Sequence, residues 1–320
     1  LFWHNHFAIS DINRSSYEYS YAELIRSHAL GNFKTLVKSM TIEPAMLRYL
    51  NGNQNTLLNP NENYARELLE LFTIGKGPQV APGDYTHYTE QDVIEIARVL
   101  TGWRDVGYGT RRGITVPFAI YRDLNHDKQI KKLSPRFGDK TISNLGNREY
   151  EHLIDIIFEQ DEVSRFITRK IYRWFVYHQI DDVVEQQVIK PLAQILRNAN
   201  YEMKPMLEAL FSSAHFYEST FHGAIIKSPL DYTIGMVNEL EMKPFDESPQ
   251  AKFLLYVSIL RVNELLEQSP FELPDVAGWK AYYQEPQFYQ LWISASTLQF
   301  LKVFRTMLLE GKVDFNGNLR

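Results

Sequence analysis

His126, Asp127 and Lys128 place an imidazole, a carboxylate and an ammonium side by side in the chain. Such a trio can bind an anion, ligate a metal or transfer a proton. It falls outside any helical period, where packing explains a residue less easily than on a helix face. Adjacent side chains seldom aim at one target, so a turn with exposed charges is the competing reading. A second set is the polar arc Asn63, Arg66, Glu67 and Glu70 of the run NENYARELLEL. Its carboxylates can act as general acid and base, or share a divalent cation with another helix. The plain alternative is a surface ladder, because Glu62–Arg66 and Arg66–Glu70 are i,i+4 pairs worth about 0.2–0.5 kcal/mol each.

Three weaker constellations follow. Arg165, Arg169 and Arg173 repeat at i,i+4 on one helical stripe, and like charges so placed repel unless something acidic or anionic faces them. The spacing predicts that they meet acidic side chains of another helix, with the 63–70 arc as the expected partner, or a bound anion. His4 and His6 can chelate a metal from a strand, but in a helix they diverge by about 200°. The neighbouring Phe2, Trp3 and Phe7 favour a helix, in which the histidines bond to other helices. Trp103, Trp279 and Trp292, with the loop aromatics Tyr282, Tyr283, Phe288 and Tyr289, form either a stacking platform for sugars or plugs of a helical core.

The elements that must position these groups are mostly helices. In Asn59–Gly75, Asn59 reads as an N-cap, Pro60 as the first helical residue and Glu62 as its answering acid. Tyr64, Ala65, Leu68, Leu69, Leu71 and Phe72 form one apolar face, and Gly75 supplies a left-handed stop. In Tyr88–Trp103, Thr89 caps, Asp92 answers it, Val93, Ile96, Ala97 and Leu100 form the stripe, and Gly102 closes the helix. Helical periods recur from Tyr21 to Leu50 and again from Arg148 onward, with Pro191 expected to kink the helix that contains it. Between them, 104–146 changes character. Gly107, Gly109 and Gly113 accompany the β-branched and aromatic runs Ile114–Tyr121 and Lys128–Leu133, which predict an irregular insertion with a small β-hairpin.

Composition narrows the function classes. A hydrophobic content of 44% with 23% charged residues is that of a globular protein. The net charge of −5 gives no basic footprint for nucleic acid or an anionic membrane. No apolar run approaches the roughly eighteen residues of a membrane span. The chain has no cysteine, which removes disulfides, thiolate nucleophiles and thiolate metal sites. No G-x-S-x-G elbow, H-E-x-x-H zinc helix or phosphate-binding loop is present. Ser294 and Ser296 have no recognisable base partner.

Several runs together carry a family resemblance. TIEPAMLRYLNG (Thr41–Gly52), NPNENYARELLELFTIG and YTEQDVIEIARVLTGW are the densest. LFWHNHF (Leu1–Phe7), HALGNF (His28–Phe33), the HDK at 126–128, KSPLDY (Lys227–Tyr232), PDVAGW (Pro274–Trp279) and WISASTL (Trp292–Leu298) extend them in order. Together they make the chain resemble the bacterial DUF1800 family. That resemblance implies an exported, periplasmic or extracellular protein of unknown function. It also implies a secreted DUF1501-family protein as a candidate partner, and it supplies no catalytic residues. The start at Leu1, inside an apolar-aromatic pattern, reads as a fragment of a longer exported protein.

The expected molecule is therefore all-α, a single multi-helix bundle domain over 1–320 with the insertion at 104–146. Two functions fit. One is a non-catalytic protein that binds a partner protein or a glycan through its loops and aromatics, with Asn63, Arg66, Lys128, Arg165, Arg169, Arg173, Trp103 and Trp279 as binding candidates. The other is an exported hydrolase, with or without a divalent metal, sited between the insertion and helix 60–73 and using His126, Asp127, Glu67 and Glu70.

Overall fold

The computed structural model describes residues 1–109, 116–244, 246–279 and 292–309. They are mostly helical, and their strands form only two-stranded antiparallel pairs. They divide into two compact units, Leu1–Phe221 with Val276–Gly278, and His222–Asp275 with Trp279–Arg320.

The core of the first unit is aromatic. Phe7 meets Phe72 with ring centroids 5.1 Å apart, Trp3 stacks on Phe33 at 5.4 Å, and Phe33 leads through Phe158 to Tyr201. The helices Phe33–Thr41, Glu90–Val99 and Glu149–Ile157 close over this core with apolar faces at helical spacing. Thr89 and Asp92 form the expected capping box. Asp92 is fully buried, and its carboxylate also accepts the Ser134 N–H and hydroxyl at 2.7 Å. The cap thus anchors the insertion to the helix.

The segment Asn59–Gly75 departs from its expected start. Asn59 donates its N–H to Thr56 in a short bridge, and Asn61 turns the chain instead by accepting the Asn63 N–H at 3.0 Å. The helix therefore runs over Asn63–Glu67 and continues as a π-helix over Leu68–Thr73. Gly75 ends it at φ +68, and a Cβ there would stand 2.8 Å from the Phe166 ring. Pro191 likewise acts through a π-helix, Glu185–Ile189, which immediately precedes the helix Lys190–Asn198. The missing N–H and the bulk of a proline ring are accommodated by widening the preceding turn.

The insertion contains two short strand pairs, Trp103–Val106 with Phe118–Tyr121 and Lys131–Lys132 with Thr141–Ile142. A further pair, Gln79–Ala81 with Asp84–Tyr85, was not expected, although Pro82-Gly83 is a turn dipeptide and Gly83 sits at φ +71. In the first pair the two-residue period puts Trp103 and Asp105 on one face. Gly113 and Ile114 lie outside the described residues, as do Tyr282, Tyr283, Phe288 and Tyr289.

In the second unit, Ser228 and Ser248 cap helices Pro229–Glu239 and Pro249–Leu265, each with proline at the start. Asn263 donates to Thr233 at 2.9 Å, and Gln268 accepts the Leu230 N–H, which pins these two helices together. Helix Ala295–Leu309 begins at Ser294, whose hydroxyl accepts the Thr297 N–H.

Candidate functional site

The predicted site residues fall into separate networks. His126 is buried, with Nδ1 3.2 Å from the Thr101 hydroxyl and 2.9 Å from its carbonyl, and Nε2 3.1 Å from Glu149. Asp127 accepts Arg98 Nε at 2.7 Å and the Gln129 N–H at 2.8 Å, and its own N–H donates to Thr101 Oγ1. Lys131, fully buried, donates to Glu149 at 2.5 Å and to the Asp127 carbonyl. Arg98 also holds Glu95, which accepts the Lys132 N–H. Burial raises the Asp127 carboxyl and the Arg98 guanidinium lowers it, with the net result below the usual carboxylate range. Each charge in this cluster meets an opposite charge or a hydrogen bond, as buried charges must. The cluster fastens the insertion to helices Glu90–Val99 and Glu149–Ile157.

The polar arc is engaged elsewhere. Arg66 makes a two-pronged pair with Glu90 at 2.7 and 2.8 Å and reaches Glu62 at 3.3 Å. Glu70 accepts the Tyr88 hydroxyl and Lys76. Asn63 is exposed and Glu67 half-buried. In the arginine stripe, Arg169 forks onto Glu185 at 2.7 and 2.8 Å and bonds Glu162 on its own helix. Arg165 adds a favourable charge beside Glu185, and Arg173 is half-buried. The stripe therefore meets an acid of another helix, but that acid is Glu185 and not the 63–70 arc. Lys128 pairs with Asp123 at the surface.

His4 and His6 lie in the helix Phe2–His6 and diverge as helical geometry requires. His4 Nδ1 lies 3.1 Å from the Tyr21 hydroxyl, and His6 Nε2 lies 3.2 Å from the Phe72 carbonyl. Burial pushes His4 down to about 3 and His6 well below its ordinary value, the latter helped by the Lys170 charge. Among the described residues no group of three His, Asp or Glu is disposed to hold a metal ion. Trp103, Trp279 and Trp292 are all buried, and the last two pack edge to face at 6.4 Å. They plug cores and offer no open platform.

A concave polar site of the first unit lies at residues outside the sequence-based candidates. A cleft of about 330 Å³ is lined by Ser10, Asp11, Tyr49, Asn51, Asn53 and Gln54, with Arg48 and Tyr108 beside them. Asp11 and Asn51 stand at φ 56 and 58, a left-handed conformation that Asp and Asn tolerate best after glycine. Beneath the cleft, Asp105 accepts Asn53 Nδ2 at 2.7 Å, Tyr17 Oη at 2.8 Å and Arg48 Nε at 3.0 Å. With Nδ2 committed, Asn53 Oδ1 is buried and has no partner among the described residues. The Arg48 guanidinium lies over the Tyr108 ring, 3.5 Å from its centroid, and Tyr108 donates to the Ile12 carbonyl. Burial and the Asp105 carboxylate drive the Tyr17 hydroxyl above its ordinary value. Glu43 caps the helix Pro44–Tyr49, which carries Arg48 and Tyr49 into the cleft. Burial pushes its carboxyl up to about 8, offset in part by the Met46 and Ala45 N–H groups and reinforced by the Asp105 charge. One visible signal was the run Glu43–Pro44 opening a helix into Arg48 and an Asn/Gly-rich loop, with turn chemistry at Asn51-Gly52.

Fold and site together define a mostly helical protein with a recessed, amide- and tyrosine-lined cleft over a buried carboxylate. The chain belongs to the DUF1800 family, described as protein of unknown function, whose model matches residues 1–313. No curated protein and no solved structure matches it.

Proposed function

We propose that this protein binds a glycan, non-catalytically, in the cleft formed by residues 10–12, 48–54 and 108. On the family resemblance we place this activity outside the cytoplasm. The observation that carries the reading is Asn53: its Nδ2 is held by Asp105, which leaves Oδ1 as a fixed, desolvated acceptor in the wall of a polar cleft. Planar amides and carboxylates match the paired hydroxyls of a sugar, and the Tyr49 ring suits its apolar face. A cleft of this size fits one or two sugar residues better than the broad, flat contact of a protein partner. The hydrolase alternative at His126 and Asp127 draws less support, since their polar atoms are spent on Thr101, Glu149, Arg98 and Gln129.

The test is a glycan array followed by calorimetric titration of the strongest hit. Asn53→Ala is expected to weaken binding at least tenfold. Lys128→Ala, at the exposed Asp123 pair, is expected to leave it unchanged. Absence of any retained glycan, or binding indifferent to Asn53→Ala, rejects the reading.

A further inference from the structure

The second unit contains a pocket of different chemistry. About 280 Å³ in volume, it is walled by Ile226, Pro229, Leu266, Leu298 and Leu301, with Lys227 and Trp292 among the residues lining it. The Trp292 side chain is 98% buried, yet its indole Nε1 has no hydrogen-bond partner among the described residues. A buried donor left without an acceptor is destabilising, and such groups in native proteins call for an explanation. An acceptor on a ligand would supply one. Lys227 is exposed and adds a positive charge to a wall that is otherwise apolar apart from Tyr232.

We propose that this pocket binds a free aliphatic monocarboxylate of short or medium chain length. The hydrocarbon would lie along the leucine and isoleucine wall, and the carboxylate would accept from Trp292 Nε1 and pair with Lys227. Charge complementarity selects the head group: the pocket residues supply an N–H donor and an ammonium and no carboxylate of their own. The volume, at the small end of ligand pockets (about 300–1,000 Å³), selects a single short chain. Apolar burial supplies most of the affinity, and the two donors supply the orientation and the preference for an anion.

Calorimetric titration of the full chain with decanoate, kept below its micellar limit, tests this against decyltrimethylammonium as the cationic match. One-to-one binding of decanoate at least tenfold tighter than that of the cation is expected. Trp292→Phe, which keeps an aromatic ring but removes the N–H together with part of the bulk, is expected to weaken decanoate binding about tenfold. Lys227→Met, at an exposed position that leaves the fold intact, should do the same and bring the two amphiphiles closer together. No saturable decanoate binding, equal affinity for both amphiphiles, or decanoate binding untouched by Lys227→Met overturns the proposal.

Discussion

Glu43 shows how one residue can serve structure while its chemistry remains unusual. Its Oε2 accepts the Met46 N–H at 2.9 Å as an N-cap, while its Oε1 makes no hydrogen bond of good geometry. The folded state therefore favours the protonated acid, with a value near 8 against the ordinary 4.5. The folded protein holds the extra proton between these values, so this group's contribution is full below 4.5 and is lost as pH rises towards 8. The slope approaches about 1.4 kcal/mol per pH unit. Glu43→Gln keeps a side-chain oxygen for the cap and removes the titration. Urea unfolding at a series of pH values should show the wild type losing stability relative to Glu43→Gln across that interval. Parallel curves for the two proteins would count against a protonated Glu43. At the same scale, His126 and Asp127 are an adjacent acid–base pair in sequence. In space they part: His126 reaches Glu149, 23 positions away, and Asp127 accepts from Arg98, 29 positions away.

At the scale of elements, the segment ending in Gly75 carries the most information. Its π-helix alters which carbonyls are free, and basic side chains take two of them: Lys170 donates to the Leu71 carbonyl at 3.1 Å, and His6 lies on the Phe72 carbonyl. Carbonyls near a helix C-terminus attract such donors. Burial lowers Lys170 to about 7, with Arg173 contributing. Gly75 lets the chain turn away while Phe166 packs against its Cα. Gly75→Ala combines a positive φ with a methyl placed 2.8 Å from that ring, so it should cost about 1–3 kcal/mol. A thermal melt with an unchanged midpoint would show that the Phe166 ring gives way freely. Gly102 does a similar service at φ +95, where its N–H reaches the Asn55 carbonyl and its own carbonyl accepts from Arg122. Both glycines were visible as stops. The Phe166 ring and the Arg122 carbonyl that crowd them were not.

At the scale of the whole molecule, sensitivity to acid follows from burying neutral imidazoles. His4 and His6 stay uncharged in the fold, whereas the unfolded chain protonates them near 6.5. Their contribution is therefore present above 6.5 and is lost as pH falls below it, for His4 down to about 3. Glu43 offsets one of the two proton uptakes down to 4.5. His4→Gln should reduce the steepness of acid destabilisation by about one proton. Equilibrium unfolding from about pH 3 to pH 7 measures that slope, and an unaltered slope would mean that His4 is protonated in the fold. No helix among the described residues is long and apolar enough to cross a membrane.

The chain by itself determined the helical class, the capping box at Thr89, the stop at Gly75, the strand-bearing insertion and the family. All of these rest on signals spread over a few neighbouring residues, or on runs of residue types read in order. Only the tertiary structure decided where chemistry is offered. Tyr17 and Asp105 are 88 positions apart, Arg48 and Asp105 are 57 apart, and no local period links them. Burial and hydrogen-bond supply are properties of the folded packing. They gave His126 and Asp127 hydrogen-bond partners, left Asn53 Oδ1 and Trp292 Nε1 without partners among the described residues, and raised a capping glutamate into the neutral range.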